Sequence, residues 1–256
     1  MSVKSLYMLP GGMLELDKGV ITYRVDSGKK VKIPVIMTLV ETSDGNILFD
    51  TGLNPDGLFD PLGAWGERAA KIVSKFDPED DVRYRLKELG LKTDDIRYVV
   101  NSHLHYDHTG GNRFFTKSKF IVQKAEYRFA HYPDDFAAAA YLKDHFDRPL
   151  DYQLIEGDRE LLPGVSLVTT YGHTPGSQSM VVSLPESGTV ILPGDAIYCE
   201  ENIEKNIPAG NCWDPGQAML SMHRLIHIAK RENGELFITH DPNAWKKLKP
   251  SPQCYH

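Results

Sequence analysis

The chain has 256 residues, of which 41% are hydrophobic and 25% charged, and it carries a formal net charge of −6. This composition is typical of a folded globular protein and allows one large domain or two small ones. The sequence has no apolar run near the roughly 18 residues that span a bilayer, no signal peptide pattern and no basic run typical of nucleic-acid binding. We therefore expect a cytoplasmic protein without membrane or nucleic-acid partners. The three cysteines suggest neither a disulfide framework nor a zinc knuckle.

Short runs rich in β-branched residues predict eight strands. They cover residues 35–42, 46–50, 96–102, 119–123, 165–171, 179–184, 189–195 and 235–240. The stretch "SDGN" at 43–46 predicts a hairpin turn between the first two. Capping residues and apolar stripes predict three helices, one from Asp77-Pro78 to Gly90, one over 133–147, and one that begins at Asp214-Pro215.

No linker rich in Gly, Ser or Pro divides the chain, so we predict a single domain over residues 1–256. Strands mixed with amphipathic helices imply sheets with helices packed outside them. Residues 53–76 begin with Gly and Pro breakers and contain Phe59 and Trp65. We interpret them as a loop, which is either pinned to the surface by its aromatic residues or placed as a lid over a substrate.

A cluster of three histidines and one aspartate follows the predicted strand 96–102. It consists of His103, His105, Asp107 and His108. Imidazole and carboxylate groups that lose water need partners, and imidazole favours zinc and similar transition metals. In an extended chain, neighbouring side chains point to opposite sides, so we expect Asp107 and His108 to face different sides. That arrangement predicts two metal ions.

Four ligands are too few for two ions, and three further candidates follow later predicted strands. His173 comes after the strand 165–171, Asp195 comes after the run 189–193, and His240 comes after the run 235–239. Each is weak evidence alone, but together they support the cluster. The remaining histidines are predicted to be solvated or packing residues, and they are His131, His145, His223, His227 and His256.

Five motifs in chain order resemble those of the metallo-β-lactamase superfamily. They are "ILFDTG" (47–52), "SHLHYDHTGG" (102–111), "GHTPGSQS" (172–179), "GDAIY" (194–198) and "THD" (239–241). The resemblance implies an α/β fold, the αββα sandwich of two mixed β-sheets flanked by helices, with two divalent metal ions at one edge. It assigns His103, His105 and His173 to the first ion, Asp107, His108 and His240 to the second, and Asp195 to both. Asp50 in "FDTG" resembles the carboxylate that steadies the ligand loop.

Further segments narrow the resemblance to one subfamily. The stretches "KSLYMLPGG", "DAIY" and "HDPNAWKKLKP" resemble the quorum-quenching N-acyl homoserine lactonases, and residues 126–150 resemble their γ-butyrolactone-cleaving relatives. This implies a homodimeric lactonase in which a metal-bridging hydroxide attacks the lactone, Tyr198 contacts the lactone and Asp107 carries a proton to the leaving alkoxide. Tyr106, Trp65 and Phe59 are also expected to contact the substrate. Zinc is favoured, with cobalt, iron or manganese open.

Other functions remain open at this point. A hydrolase of γ-butyrolactone or another small lactone is one, and a thiolesterase of the glyoxalase II type is another. The latter usually has a C-terminal extension with basic residues, which we do not find. A non-catalytic binding protein would be expected to lose some ligands. The chain departs from many relatives at Ser177, where they have His, and at Thr239, where they have Gly. Neither change removes a ligand.

Overall fold

The computed structural model describes residues 3–256. Within that range the strands are β1 (Val3–Asp17), β2 (Lys30–Thr42), β3 (Asn46–Phe49), β4 (Val73–Lys75), β5 (Ile96–Val100), β6 (Lys119–Gln123), β7 (Asp151–Ile155), β8 (Arg159–Leu162), β9 (Val165–Thr169), β10 (Gln178–Leu184), β11 (Gly188–Leu192) and β12 (Glu235–Leu236). The helices are α1 (Lys18–Ile21), α2 (Pro61–Ala70), α3 (Val82–Glu88), α4 (Tyr106–Thr109), α5 (Lys124–His131), α6 (Asp135–Ala138), α7 (Lys143–Phe146), α8 (Glu200–Lys205), α9 (Pro215–Glu232) and α10 (Pro242–Trp245).

The strands form two mixed sheets. The larger has the order β4-β1-β2-β3-β5-β6-β7, and the smaller has the order β12-β11-β10-β9-β8. Strands β3, β5, β6 and β7 run parallel, whereas β1 and β2 pair antiparallel. The facing sides of the two sheets share one hydrophobic core, in which Val40 and Val100 of the larger sheet are buried with Leu167 and Val182 of the smaller.

Helices cover the outer face of each sheet. Helix α3 packs Val82 and Leu86 against the larger sheet, and α9 packs Met222 and Leu225 against the smaller. Burying one such side chain stabilises the fold by about 1.5–3 kcal/mol. The layers therefore run helix, sheet, sheet, helix, which confirms the predicted αββα sandwich. Among residues 3–256, no helix has both the length and the apolarity needed to cross a membrane.

The helix predictions are partly confirmed. Helix α9 begins after Asp214, whose side chain accepts a hydrogen bond from the backbone N–H of Gln217. The predicted start at Asp77 is wrong, because residues 78–80 form a separate 3₁₀ turn and Asp81 caps α3 by accepting from the N–H of Arg83. Gly90 ends this helix as predicted, with a φ of 74°.

Two longer predictions are wrong. The predicted helix over 133–147 is broken into α6 and α7, and the connection between them buries Tyr141. The predicted loop over 53–76 contains α2, which Asp60 caps by accepting from the N–H of Gly63, and the edge strand β4, which pairs with β1.

Strand boundaries also differ from the sequence predictions. Strand β12 covers only Glu235 and Leu236. The N–H of Phe237 still donates to the carbonyl of Ile191, so the chain leaves the sheet between Phe237 and His240. Strand β1 was missed because Pro10-Gly11-Gly12 interrupts its pattern, and the structure has a register shift between Pro10 and Met13. Strands β4, β7 and β8 were missed as well.

Candidate metal centre

The predicted metal-binding residues meet at one edge of the sandwich. Strand β3 ends before Asp50, and β5 ends before the segment 101–108. The connection between β9 and β10 carries His173, and Asp195 follows β11. Because parallel strands such as β3 and β5 end at the same edge, residues far apart in sequence become neighbours there.

His103, His105 and His173 form a first group of converging nitrogens. Nδ1 of His105 lies 3.0 Å from Nε2 of His103 and 3.1 Å from Nε2 of His173. Burial lowers the pKa of His103 and of His105 well below the ordinary value, and lowers the pKa of His173 to about 4. The three rings are therefore neutral and have lone pairs available for a cation.

Asp107, His108 and His240 form a second group. Oδ2 of Asp107 lies 3.5 Å from Nε2 of His108 and 3.9 Å from Nε2 of His240. The expectation that Asp107 and His108 face different sides is wrong, since the chain turns into α4 at Tyr106 and both side chains reach one group. Burial opposes positive charge here, but Asp107, Asp195 and Asp50 raise the pKa of His108 to about 10. The carboxylates thus favour a cation at this position.

Asp195 lies between the two groups and turns one oxygen towards each. Its Oδ2 is 3.3 Å from Nε2 of His173 and 3.8 Å from Nε2 of His103. Its Oδ1 is 3.1 Å from Nε2 of His240 and 3.4 Å from Nε2 of His108. A carboxylate in this position can contact two cations at once.

The donor set fits a pair of divalent metal ions. Among residues 3–256, Nε2 of His108, Nε2 of His240 and Oδ1 of Asp195 are buried without a hydrogen-bond partner. Such atoms are costly unless something else satisfies them. Imidazole nitrogens and carboxylate oxygens are ligands of zinc and related metals. The chain therefore provides a dinuclear metal site.

Asp50 supports two of the histidines. It accepts hydrogen bonds from Nδ1 of His108 at 2.8 Å, from the N–H of Ser102 at 2.7 Å and from the hydroxyl of Ser102 at 2.7 Å. The Ser102 hydroxyl oxygen lies 2.9 Å from Nδ1 of His103. These contacts leave Nε2 of both rings facing the centre. Ser102 was not predicted from the sequence.

Glu126 on α5 was also missed, although it connects two ligand loops. Its buried carboxylate accepts from the N–H of Leu104 at 3.0 Å, from the hydroxyl of Thr174 at 2.5 Å and from the N–H of Gly176 at 3.2 Å. Tyr141 donates to it at 3.1 Å. No local sequence pattern could reveal this role, because Leu104 is 22 residues away and Thr174 is 48.

The centre forms the floor of a cavity of about 320 Å³. Tyr106 and Tyr198 line it. Trp65 and Phe59 do not line it. Trp65 is buried and donates its indole N–H to the carbonyl of Asn54 at 2.8 Å, and Phe59 is 90% exposed.

The Tyr198 side chain contacts His240 of the centre and also Asn211, which was not predicted from the sequence. Its ring stacks on His240 at a centroid distance of 5.1 Å. Its hydroxyl oxygen accepts from Nδ2 of Asn211 at 2.9 Å. Burial, with the nearby Asp195 carboxylate, raises the pKa of Tyr198 well above its ordinary value. The hydroxyl therefore keeps its proton and can donate it in a hydrogen bond.

The departure at Ser177 has a structural account. Its hydroxyl donates to the carbonyl of Thr170 at 2.6 Å and so closes the loop that carries His173. Thr239 directly precedes His240 and is buried. Nothing in the structure explains why this residue is a threonine.

The chain is similar to proteins of known activity. A profile of the metallo-beta-lactamase superfamily matches residues 33–240. The chain is 38% identical over 258 residues to the N-acyl homoserine lactonase AiiA of Bacillus thuringiensis subsp. kurstaki, with 99% of each chain covered. It is 34% identical over 257 residues to the N-acyl homoserine lactonase AttM of Rhizobium johnstonii, with 98% of each covered. A solved N-acyl homoserine lactone hydrolase with N-hexanoyl-L-homoserine at its catalytic metal centre has a TM-score of 0.88 at 38% identity, with both chains fully covered.

Proposed function

The chain belongs to the metallo-beta-lactamase superfamily, and on that basis we propose that it is a metal-dependent lactonase acting on N-acyl homoserine lactones, a quorum-quenching activity. The observation that carries this proposal is the position of the Tyr198 hydroxyl in a cavity whose floor is the dinuclear centre. The likeness to lactonases over the full chain supports it. The reaction adds water to the lactone carbonyl and breaks the ring C–O bond, which yields an N-acyl homoserine.

We assign the ligands of the two ions as follows. One would be held by His103, His105 and His173, the other by Asp107, His108 and His240, and Asp195 would contact both. When bound, two such ions supply a nucleophilic water that is deprotonated near neutral pH and a Lewis acid for the ester carbonyl. We propose zinc as the native metal, because the set is rich in imidazole.

Tyr198 stabilises the developing negative charge in this proposal. Its hydroxyl is protonated and faces the cavity, so it can donate a hydrogen bond to the carbonyl oxygen as the carbon becomes tetrahedral.

Asp107 carries the proton in this proposal. It lines the cavity and belongs to the second group of ligands, so its carboxylate lies beside the position of the attacking water. It can therefore hold a proton released by the water and pass it to the ring oxygen as the C–O bond breaks. No other acid is then needed to protonate the ring oxygen that leaves.

The cavity walls favour an acylated lactone. Five apolar side chains contribute to its lining, and they are Leu14, Ile33, Ile72, Phe129 and Phe136. An acyl chain would bury apolar surface there, at about 25 cal/mol per Å². Unsubstituted γ-butyrolactone would leave this surface unused, so the walls favour N-acyl homoserine lactones over that alternative.

Hydrolysis of a substrate panel by the metal-loaded protein tests the function. The panel contains homoserine lactones of several acyl lengths, γ-butyrolactone and an aryl thiolester, and the readout is kcat/KM for each. We expect the acyl homoserine lactones to be preferred. A higher value for γ-butyrolactone would favour the small-lactone alternative, and a higher value for the thiolester would favour the glyoxalase II type.

We also propose that the protein is a cytoplasmic homodimer, in line with the sequence prediction. Light scattering on the eluted protein would give its mass in solution. A mass near the 28.8 kDa of one chain would contradict the dimer.

A further inference from the structure

The Asn211 side chain forms a hydrogen bond with the Tyr198 hydroxyl. Nδ2 of Asn211 donates to the Tyr198 hydroxyl oxygen at 2.9 Å. Within residues 3–256, its Oδ1 atom is buried and has no hydrogen-bond partner. Among the described residues, the bond to Tyr198 is therefore the one hydrogen bond that the Asn211 side chain makes.

The backbone on both sides of Asn211 is fixed. The N–H of Gly210 donates to the carbonyl of Val20 at 2.9 Å, and the N–H of Trp213 donates to the carbonyl of His173 at 3.0 Å. A Cβ atom at residue 210 would lie 1.9 Å from the carbonyl oxygen of Gly19, so only glycine allows this approach. The segment is thus held against α1 on one side and against a predicted metal ligand on the other.

We propose that Asn211 is a positioning residue that makes the Tyr198 hydroxyl a hydrogen-bond donor towards the reacting lactone. A hydroxyl has one hydrogen and two lone pairs. Because Asn211 donates to one lone pair, the hydroxyl hydrogen cannot point at Asn211 and remains available to the centre. This inference rests on the proposed lactonase function and deepens it.

Two substitutions at residue 211 separate positioning from packing. Asn211→Ala removes the donor and leaves the Tyr198 hydroxyl free to rotate. Asn211→Asp replaces the donor with an acceptor, which draws the hydroxyl hydrogen away from the lactone. We expect kcat/KM for an N-acyl homoserine lactone to fall about three- to tenfold in Asn211→Ala. In Asn211→Asp we expect it to fall about ten- to a hundredfold, close to Tyr198→Phe.

The same substitutions in a Tyr198→Phe background give the decisive readout. If Asn211 acts through the hydroxyl, both changes should alter kcat/KM less than about twofold once the hydroxyl is gone. A merely structural role would lower kcat/KM equally in both backgrounds and would overturn the proposal. Equal activity of Asn211→Asp and the parent would also overturn it.

Controls keep these outcomes distinct. Asn46→Ala removes an amide that donates to the carbonyl of Asp95 at 3.2 Å outside the cavity, and it should leave kcat/KM unchanged. Metal content and thermal stability are measured for every variant. If Asn211→Ala does not fold, Asn211→Leu repeats the test with nearly the original volume.

If the parent protein opens no lactone, the proposed function fails and this inference fails with it. If the parent is active and the substitutions at residue 211 have the same effect with and without the Tyr198 hydroxyl, only the inference fails.

Discussion

Oδ1 of Asp195 lies 3.1 Å from Nε2 of His240, while the other oxygen of the same carboxylate faces His173 at 3.3 Å. One side chain thus contacts both groups of ligands. No other described residue of the centre divides its two oxygens in this way. The loss of its charge should therefore affect both ions.

Asp195→Asn should give lower metal content than Tyr198→Phe and activity near background. The amide keeps the shape of the carboxylate but removes the charge that balances two cations. Elemental analysis of both purified variants measures the difference. Full occupancy of both positions in Asp195→Asn would contradict a bridging role.

We expect about two metal ions per chain, and we expect chelation to remove them together with activity. Zinc or cobalt should restore both. His103→Ala should weaken the first site and His240→Ala the second, so each variant should retain about one ion. Active protein without any transition metal would refute the dinuclear centre.

Tyr198→Phe should keep both ions and the fold, because the ring fills the same volume. The lost hydrogen bond to a charge-bearing oxygen is worth about 1.5–3 kcal/mol, or roughly a ten- to hundredfold fall in kcat/KM. The fall should be larger for an acyl homoserine lactone than for a phenyl ester, whose activated leaving group needs less assistance. Unchanged lactone hydrolysis would make Tyr198 a packing residue.

Glu126→Gln should lower stability by about 2 kcal/mol and reduce metal retention at the first site. Glutamine cannot accept all the bonds that this buried carboxylate receives from Leu104, Thr174, Gly176 and Tyr141. Chemical unfolding and metal analysis are the two measurements. Glu156→Gln is the matched control, because its exposed ion pair with Lys124 should contribute less than about 1 kcal/mol. Equal effects of the two changes would contradict the connecting role.

We expect the protein to become less stable as the pH falls, and we attribute part of this loss to His145. Burial lowers the pKa of His145 from 6.5 to about 4, although the bond that it donates to the carbonyl of Ala64 acts in the opposite direction. Between these values the unfolded chain binds a proton that the folded chain does not, so stability decreases as pH falls below about 6.5.

His145→Gln isolates this contribution. Relative to that variant, the parent should lose about 2 kcal/mol of unfolding free energy between pH 7 and pH 5. His227→Gln, which changes an exposed histidine, should leave the pH profile of the parent unchanged. Parallel profiles for the parent and His145→Gln would disprove the effect.

Residue types and their spacing were enough to predict the chemistry of the centre. The spacing of His103, His105, Asp107 and His108, with later metal-capable residues at strand ends, indicated two metals, because few other demands place so many such groups together. Capping residues likewise located α9, since Asp-Pro followed by an apolar stripe is a local signal. The family and the layer order followed from the motifs and are confirmed.

The arrangement of these residues around the centre depends on contacts between distant parts of the chain. The turn at Tyr106 directs Asp107 and His108 to one group, against the expectation for an extended chain. Glu126 and Asn211 act on residues that are 13 or more positions away, and hydrogen bonds over such separations leave no local pattern. Trp65 and Phe59 are large aromatic residues of the kind that can line a substrate cavity, yet Trp65 is buried and Phe59 is exposed. Residue type sets what a side chain can bind, whereas its neighbours and direction depend on how the two sheets bring distant loops to one edge.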